Sequence, residues 1–340
     1  MYRRLLTRGS AHKPLVGIVA AGLLVGAFAV WRFAGRTIEV DVDGGTFDVA
    51  VLGDVVIPVR PGQTVLLRHA GELGPDGESP ITHAFVGPRD EPPPLFAPQA
   101  GGLTPTPVVW GPCHAGDPDE IVAVCPAPSE EADRWDGESY WSTGAMVPSE
   151  TRAIPLADDI SQGDHVLTCA FHPDLRLVLR VGGEGSPLPN GERAVDAARA
   201  AVEDEAEGSN VVVTAGLEVD GAYVAAFSPR VVRVPVGGSV TWRAGARTPV
   251  DVVFGAAADH EDERSPSLAH TVPTDGVPAG RADAWDGKGE LRSGFLSADP
   301  AAGATAREWS VTFTGPGTYT YVSRFGSAMI GTVVVGKGGE

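Results

Sequence analysis

The sequence predicts an all-β chain of two tandem β domains behind an N-terminal transmembrane helix, and three observations carry that reading. The first is texture. The 340 residues include 44 glycines and 29 prolines, and between them lie short runs rich in Val, Thr, Phe and Tyr, which suits strands joined by turns. The second is length, which gives room for two domains that each bury a core. The third is an internal repeat. Val59-Arg-Pro-Gly-Gln-Thr-Val65 followed by Arg68 parallels Val234-Pro-Val-Gly-Gly-Ser-Val240 followed by Arg243. Trp135-Asp-Gly137 with Gly144 matches Trp285-Asp-Gly287 with Gly294 at the same nine-residue spacing. Duplication of one unit explains both echoes, and a repeat this long means tandem domains, because solenoid units run to ~20–50 residues.

Residues 1–36 hold six basic side chains (Arg3, Arg4, Arg8, Lys13, Arg32, Arg36), no acidic one, and the uncharged run Pro14–Trp31. Those 18 residues fall inside the ~17–25 that span a hydrocarbon core. Four of the six charges precede the run, which favours a cytoplasmic N-terminus. The expectation is a single-pass anchor in the cell membrane with an extracytoplasmic body. A cleaved signal peptide ending near Ala27-Phe-Ala29 is the alternative; either way the body is exported.

Beyond the anchor, residues 37–183 read as one β domain and 210–336 as another. Between them the acidic linker 184–209 opens with the turn-like Pro187-Leu-Pro-Asn-Gly191 and continues through the Ala- and Glu-rich stretch Glu192–Glu207, expected as a short exposed helix. Without the first 36 residues, 20 basic side chains face 44 acidic ones, a net charge near −24. Such a body repels nucleic acid and speeds encounter with a basic partner, or is simply kept soluble by its charge.

An exported chain with three cysteines invites an accounting of thiols. Cys113 and Cys125 stand twelve positions apart in a Pro-rich segment and can close a disulfide, which leaves Cys169 as the odd thiol. An unpaired exported cysteine is either buried and inert or a metal ligand. Cys169 lies in Gly163-Asp-His-Val-Leu-Thr-Cys169-Ala-Phe-His172-Pro-Asp-Leu175-Arg-Leu-Val-Leu-Arg-Val181. Alternating apolar residues on both sides predict two strands, with Cys-x-x-His on their connection. That spacing brings a thiolate and an imidazole to one side of a turn. A soft thiolate joined by imidazoles in a trigonal His2Cys set is the blue-copper arrangement.

The segment resembles the C-terminal ligand loop of the cupredoxins, such as plastocyanin and, in spacing, amicyanin, where Cys-x-x-His-Pro-x-Met supplies three ligands. Cys169, His172 and Pro173 match, and Leu175 stands at the axial methionine position. The family's other histidine lies upstream after a Pro-Gly turn, and Ile81-Thr-His83-Ala-Phe-Val86 fits that description. The resemblance implies two Greek-key β-sandwiches, the first with one type 1 copper on His83, Cys169 and His172. Leu175 is expected to be non-coordinating and to raise the reduction potential, and His172 to be the exposed electron port. Between His83 and Cys169 lie 85 residues, more than a small cupredoxin uses. The extra segment, 87–133, either packs over the site or forms a surface excursion.

In the second copy, Gly317-Thr-Tyr-Thr-Tyr-Val-Ser323-Arg-Phe-Gly326-Ser-Ala-Met329 reads as the same closing strand and loop. Ser323 replaces the cysteine, Gly326 the second histidine and Val250-Asp251 the first, so Met329 is expected as core and one copper per chain follows. His69 and His165 are expected to face solvent, His260 and His270 to be loop residues. His114 with Asp117 and the nearby cysteines is a weaker metal alternative to the disulfide. Multicopper oxidases and nitrite reductases share tandem cupredoxin domains but need His-x-His and His-Cys-His clusters. Thr168 and Ala170 flank Cys169 here, so an enzyme is not expected. The leading expectation is one-electron transfer to a redox partner protein, with a copper carrier or sensor as the alternative.

Overall fold

The computed structural model of the chain describes residues 32–34, 37–42, 49–70, 82–88, 93, 95–99, 102–115, 133–185, 191–255, 282–298, 306–323 and 326–336. The predicted anchor, Pro14–Trp31, lies outside them, as do Cys125, His260 and His270. Among the described residues no helix is long and apolar enough to cross a membrane.

The protein is all-β. In the first half a four-stranded sheet runs in the order Arg32–Ala34, Thr37–Val42, Thr64–His69, Thr151–Pro155. A six-stranded sheet runs Gly53–Val59, Leu175–Val181, Gly163–Cys169, Phe85–Gly87, Tyr140–Thr143, Pro112–Ala115. The second half has six strands ordered Glu205–Glu207, Val231–Pro235, Gly326–Gly336, Gly317–Ser323, Val253–Phe254, Leu291–Arg292, and six more ordered Ala282–Trp285, Glu308–Phe313, Ser239–Gly245, Asn210–Val219, Ala222–Ser228, Val49–Val51.

The duplication read from sequence holds in the pairing. Thr37–Val42 runs parallel to Thr64–His69, as Asn210–Val219 does to Ser239–Gly245. Gly53–Val59 runs parallel to Leu175–Val181, as Val231–Pro235 does to Gly326–Gly336. Each pair is then continued by an antiparallel neighbour in the same place.

Local chemistry explains the echoes. In both Trp-Asp-Gly turns the aspartate caps the backbone: Asp136 Oδ1 accepts the N–H groups of Glu138 and Ser139 at 2.9 and 2.7 Å, and Asp286 Oδ1 accepts that of Lys288 at 3.1 Å. The Asx turn is what these short side chains favour. The following Gly137 and Gly287 take φ values of +86° and +88°, a region glycine enters without penalty.

Strand alternation sets the core. Val65 and Leu67 point inward with His69, and Leu167 and Cys169 do so with His165, as a period of two requires. His69 and His165 are therefore buried, at 1% and 8% exposure, and not solvent-facing as expected. The sequence marked them only as strand-flanking, while register put them on the inner face. His165 accommodates burial through contacts with the carbonyls of Ser161 and Gly137 at 2.9 and 3.3 Å.

Two features tie the halves together. Val49–Val51, within the first segment by sequence, pairs antiparallel with Ala222–Ser228 of the second. The helix Gly191–Ala200 buries Ala194, Val195 and Ala198 against Val49, Val51, Val224 and Ala226, so the expected exposed linker helix is docked along one face. Its small apolar residues at i, i+1 and i+4 form the stripe that makes this favourable.

Candidate metal centre

His83 and Cys169 are positioned by neighbouring strands. His83 exchanges backbone bonds with Met146, N–H to carbonyl at 3.1 Å and the reverse at 2.7 Å. Cys169 ends its strand opposite Phe85, and the next N–H, of Ala170, donates to Ala84 O at 2.8 Å. His172 follows on the turn, closed by the Leu175 N–H donating to its carbonyl at 2.8 Å.

The three predicted ligands converge. Cys169 Sγ lies 3.4 Å from His83 Nδ1 and 3.7 Å from His172 Nδ1. One ligand atom from each residue falls within 4.8 Å of the others. The imidazole centroids of His83 and His172 are 5.1 Å apart. An ion bound in a trigonal plane by bonds of roughly 2.0–2.3 Å holds its ligand atoms ~3.5–4.0 Å apart, and the two sulfur–nitrogen separations lie within or just below that range. All three residues are buried. Burial pushes the His83 imidazole down to about 3, because a cation there would lose its hydration. A neutral imidazole is the form that ligates.

The surroundings correct one expectation and decide another. His172 is not exposed: it is 3% accessible, and the ring of Tyr223 from the second half covers it at a centroid distance of 5.2 Å. The resemblance to single-domain proteins could not reveal a cover supplied by another domain. The 87–133 segment packs over the ligand loop where it is described: Trp110 sits edge-on to Phe171 at 5.1 Å and anchors its indole N–H on Leu95 O at 2.7 Å.

Leu175 is fully buried at the base of its strand, and so is Met329 at the matching place in the second half. Cys113 is also buried. His114 does not join a metal cluster among the described residues; it bonds Ser139 Oγ at 3.0 Å and packs on Trp141.

The second half superposes its losses on the same scaffold. Val250 exchanges backbone bonds with Leu296 at 2.9 and 2.8 Å just as His83 does with Met146, which identifies Val250 as the residue in the place of His83. Thr143 Oγ1 accepts the Phe85 N–H at 3.0 Å, and Ser293 Oγ accepts the Val252 N–H at 2.8 Å. Ser323 bonds Asp251 Oδ1 at 3.1 Å, so a hydroxyl–carboxylate pair occupies the position of the thiol.

Sequence reasoning missed three residues around the centre. Tyr223 carried no local signal. His69, whose ring lies 4.7 Å from that of His83, aligns with Ala244 through the Arg68 and Arg243 echo. Met146 aligns with Leu296, eleven residues past each tryptophan. Comparing the two copies position by position would have singled out both His69 and Met146.

No protein-family model matches the sequence, and no curated protein does. Among solved structures, a copper-containing nitrite reductase from Thermus scotoductus SA-01 is similar at 13% identity over 83% of this chain and 59% of its own, with a TM-score of 0.25. The chain thus spans less than two thirds of that protein. A pseudoazurin from Sinorhizobium meliloti is 23% identical over 39% of this chain and 76% of its own, TM-score 0.22. A reduced amicyanin variant is 23% identical over 41% and 90%, TM-score 0.22. Multicopper oxidases are among the others. The shared strand order of the two halves and the His83–Cys169–His172 convergence are properties of the chain itself: two β halves built on one plan, the first of which gathers a His–Cys–His cluster.

Proposed function

We propose that this chain is a membrane-anchored, extracytoplasmic blue copper protein that transfers single electrons, with one type 1 copper on His83, Cys169 and His172. The observation that carries the reading is the approach of two imidazole nitrogens to one buried sulfur at 3.4 and 3.7 Å. When bound, copper supplies one-electron exchange between Cu(I) and Cu(II). Cys169 contributes a thiolate and gives up its proton on loading. His83 is already neutral, and the strands that hold it and Cys169 leave the ligands little room to rearrange, which suits electron transfer.

Leu175, which stands where the resemblance has an axial methionine, would offer a bound copper an alkyl group in place of a thioether, which would favour Cu(I) and raise the potential. A Cys113–Cys125 disulfide clamps the segment whose Trp110 backs the ligand loop. The excess of acid on the body favours a basic redox protein as partner, and residues 1–36 tether the body to the outer side of the cell membrane. The same ligands in a labile site make a copper carrier or sensor. Burial of all three favours retention. Fast electron self-exchange with slow loss of copper to a chelator supports the electron-transfer reading, and the reverse pair of results assigns the carrier. For the tether, the full chain should partition with membranes and lose its body to protease added outside intact cells; a soluble or protected body contradicts it.

A further inference from the structure

His172 lies at the seam between the two halves, and its cover is built with care for one side chain. Tyr223 belongs to Ala222–Ser228, a strand buried along its whole length, and its ring meets that of His172 at 57° between planes. Three contacts hold it there. Tyr223 stands opposite Ala50 in the pairing with Val49–Val51, and the Leu52 N–H donates to Gly221 O at 2.7 Å. Gly216, at φ +66° in the irregularity between Ala215 and Leu217, lies under the ring. A Cβ at that position would come within 2.9 Å of Tyr223 Cε2, so glycine keeps the seat open. The phenol hydroxyl meets Met329 Sδ at 3.9 Å, a weak acceptor at the repeat position of Leu175.

The first half also grips the second beside the ligand: Asp174, two residues past His172, lies 3.7 Å from Arg247. The second half, in which Val250 and Ser323 stand in the places of His83 and Cys169, thus presents the Tyr223 ring to the centre of the first.

We infer that Tyr223 is a positioning residue that controls access to the metal centre: the second half is a cap, and the Tyr223 ring seals the outer face of His172 against chelators and exogenous ligands. The inference rests on the copper reading for its consequence and on the His172–Tyr223 contact for its geometry. While the Val49–Val51 and Ala222–Ser228 pairing holds, a small molecule reaches the imidazole only by local opening of the seam.

The test compares the full chain with its Tyr223→Phe and Tyr223→Ala variants in two states. Without metal, diethyl pyrocarbonate should modify His172, mapped by mass spectrometry, slowly in the first two and about tenfold faster in Tyr223→Ala, which loses a buried aromatic contact. With Cu(II) bound, Tyr223→Ala should lose copper to a chelator faster by a similar factor, and added imidazole should shift its charge-transfer band alone; Tyr223→Phe should behave as the parent. If Tyr223→Ala does not fold, Tyr223→Leu replaces it with the same expected direction. Equal His172 modification across the folded variants overturns the cap. Absence of any band in the parent defeats the copper reading instead, and the metal-free measurement still decides the cap.

Discussion

Cys169 Sγ and His83 Nδ1 lie 3.4 Å apart although 86 positions separate the two residues in the chain. Two strand neighbours, Cys169 opposite Phe85, turn that long sequence separation into a short spatial one. His172 reaches the same sulfur through the turn alone. A site made this way combines one non-local and one local ligand, and its integrity depends on the strand pairing of the first half.

On the proposed copper site, Leu175→Met would offer the metal a thioether in place of an alkyl group. A thioether stabilises Cu(II), so the variant should have a lower reduction potential than the parent in a redox titration. A potential equal to or above that of the parent contradicts the role given to Leu175.

The metal-free protein should weaken in acid at His83. Its imidazole is pushed down from 6.5 to about 3 by burial, so between those values the unfolded chain takes up a proton that the folded chain refuses. The contribution is fully present above about pH 6.5, falls as pH drops with a slope of up to ~1.4 kcal/mol per pH unit, and levels off once the folded residue itself protonates. Denaturant unfolding across this range should show the slope, and His83→Asn should flatten it by that amount. Identical pH profiles for the two proteins contradict the assignment.

Gly137 and Gly287 should be equally intolerant of a side chain. Each sits at positive φ, and a Cβ would stand 2.1 Å from His165 Nδ1 in one case and 2.2 Å from Tyr319 Cε1 in the other. Gly137→Ala and Gly287→Ala should each cost ~1–3 kcal/mol, read as a shift in denaturant midpoint. Stability within a few tenths of the parent in either variant removes the argument for matched turns.

The all-β class, the duplication and the Cys169-x-x-His172 turn were legible because each depends on local pattern, whereas His83, 86 positions from Cys169, was placed by the resemblance to the cupredoxin ligand pattern. Trp-Asp-Gly turns report their own hydrogen bonds, and alternation around Cys169 gives its strand. The losses in the second copy were legible too, since Ser323 sits in register with Cys169. What sequence could not supply was packing between distant segments. The exposure expected of His172 failed because Tyr223 arrives from the other half, and the linker helix was expected in solvent because its acidic composition concealed the Ala194–Val195–Ala198 stripe. His69 and His165 turned inward through strand register, which polar identity does not report.

The visible spectrum of the oxidised full chain with one equivalent of Cu(II), recorded beside Cys169→Ser, tests the metal centre most directly. An intense sulfur-to-copper charge-transfer band in the parent that is lost in Cys169→Ser is the expected result. No such band in the folded parent, or one that survives the loss of the sulfur, contradicts a copper held by His83, Cys169 and His172.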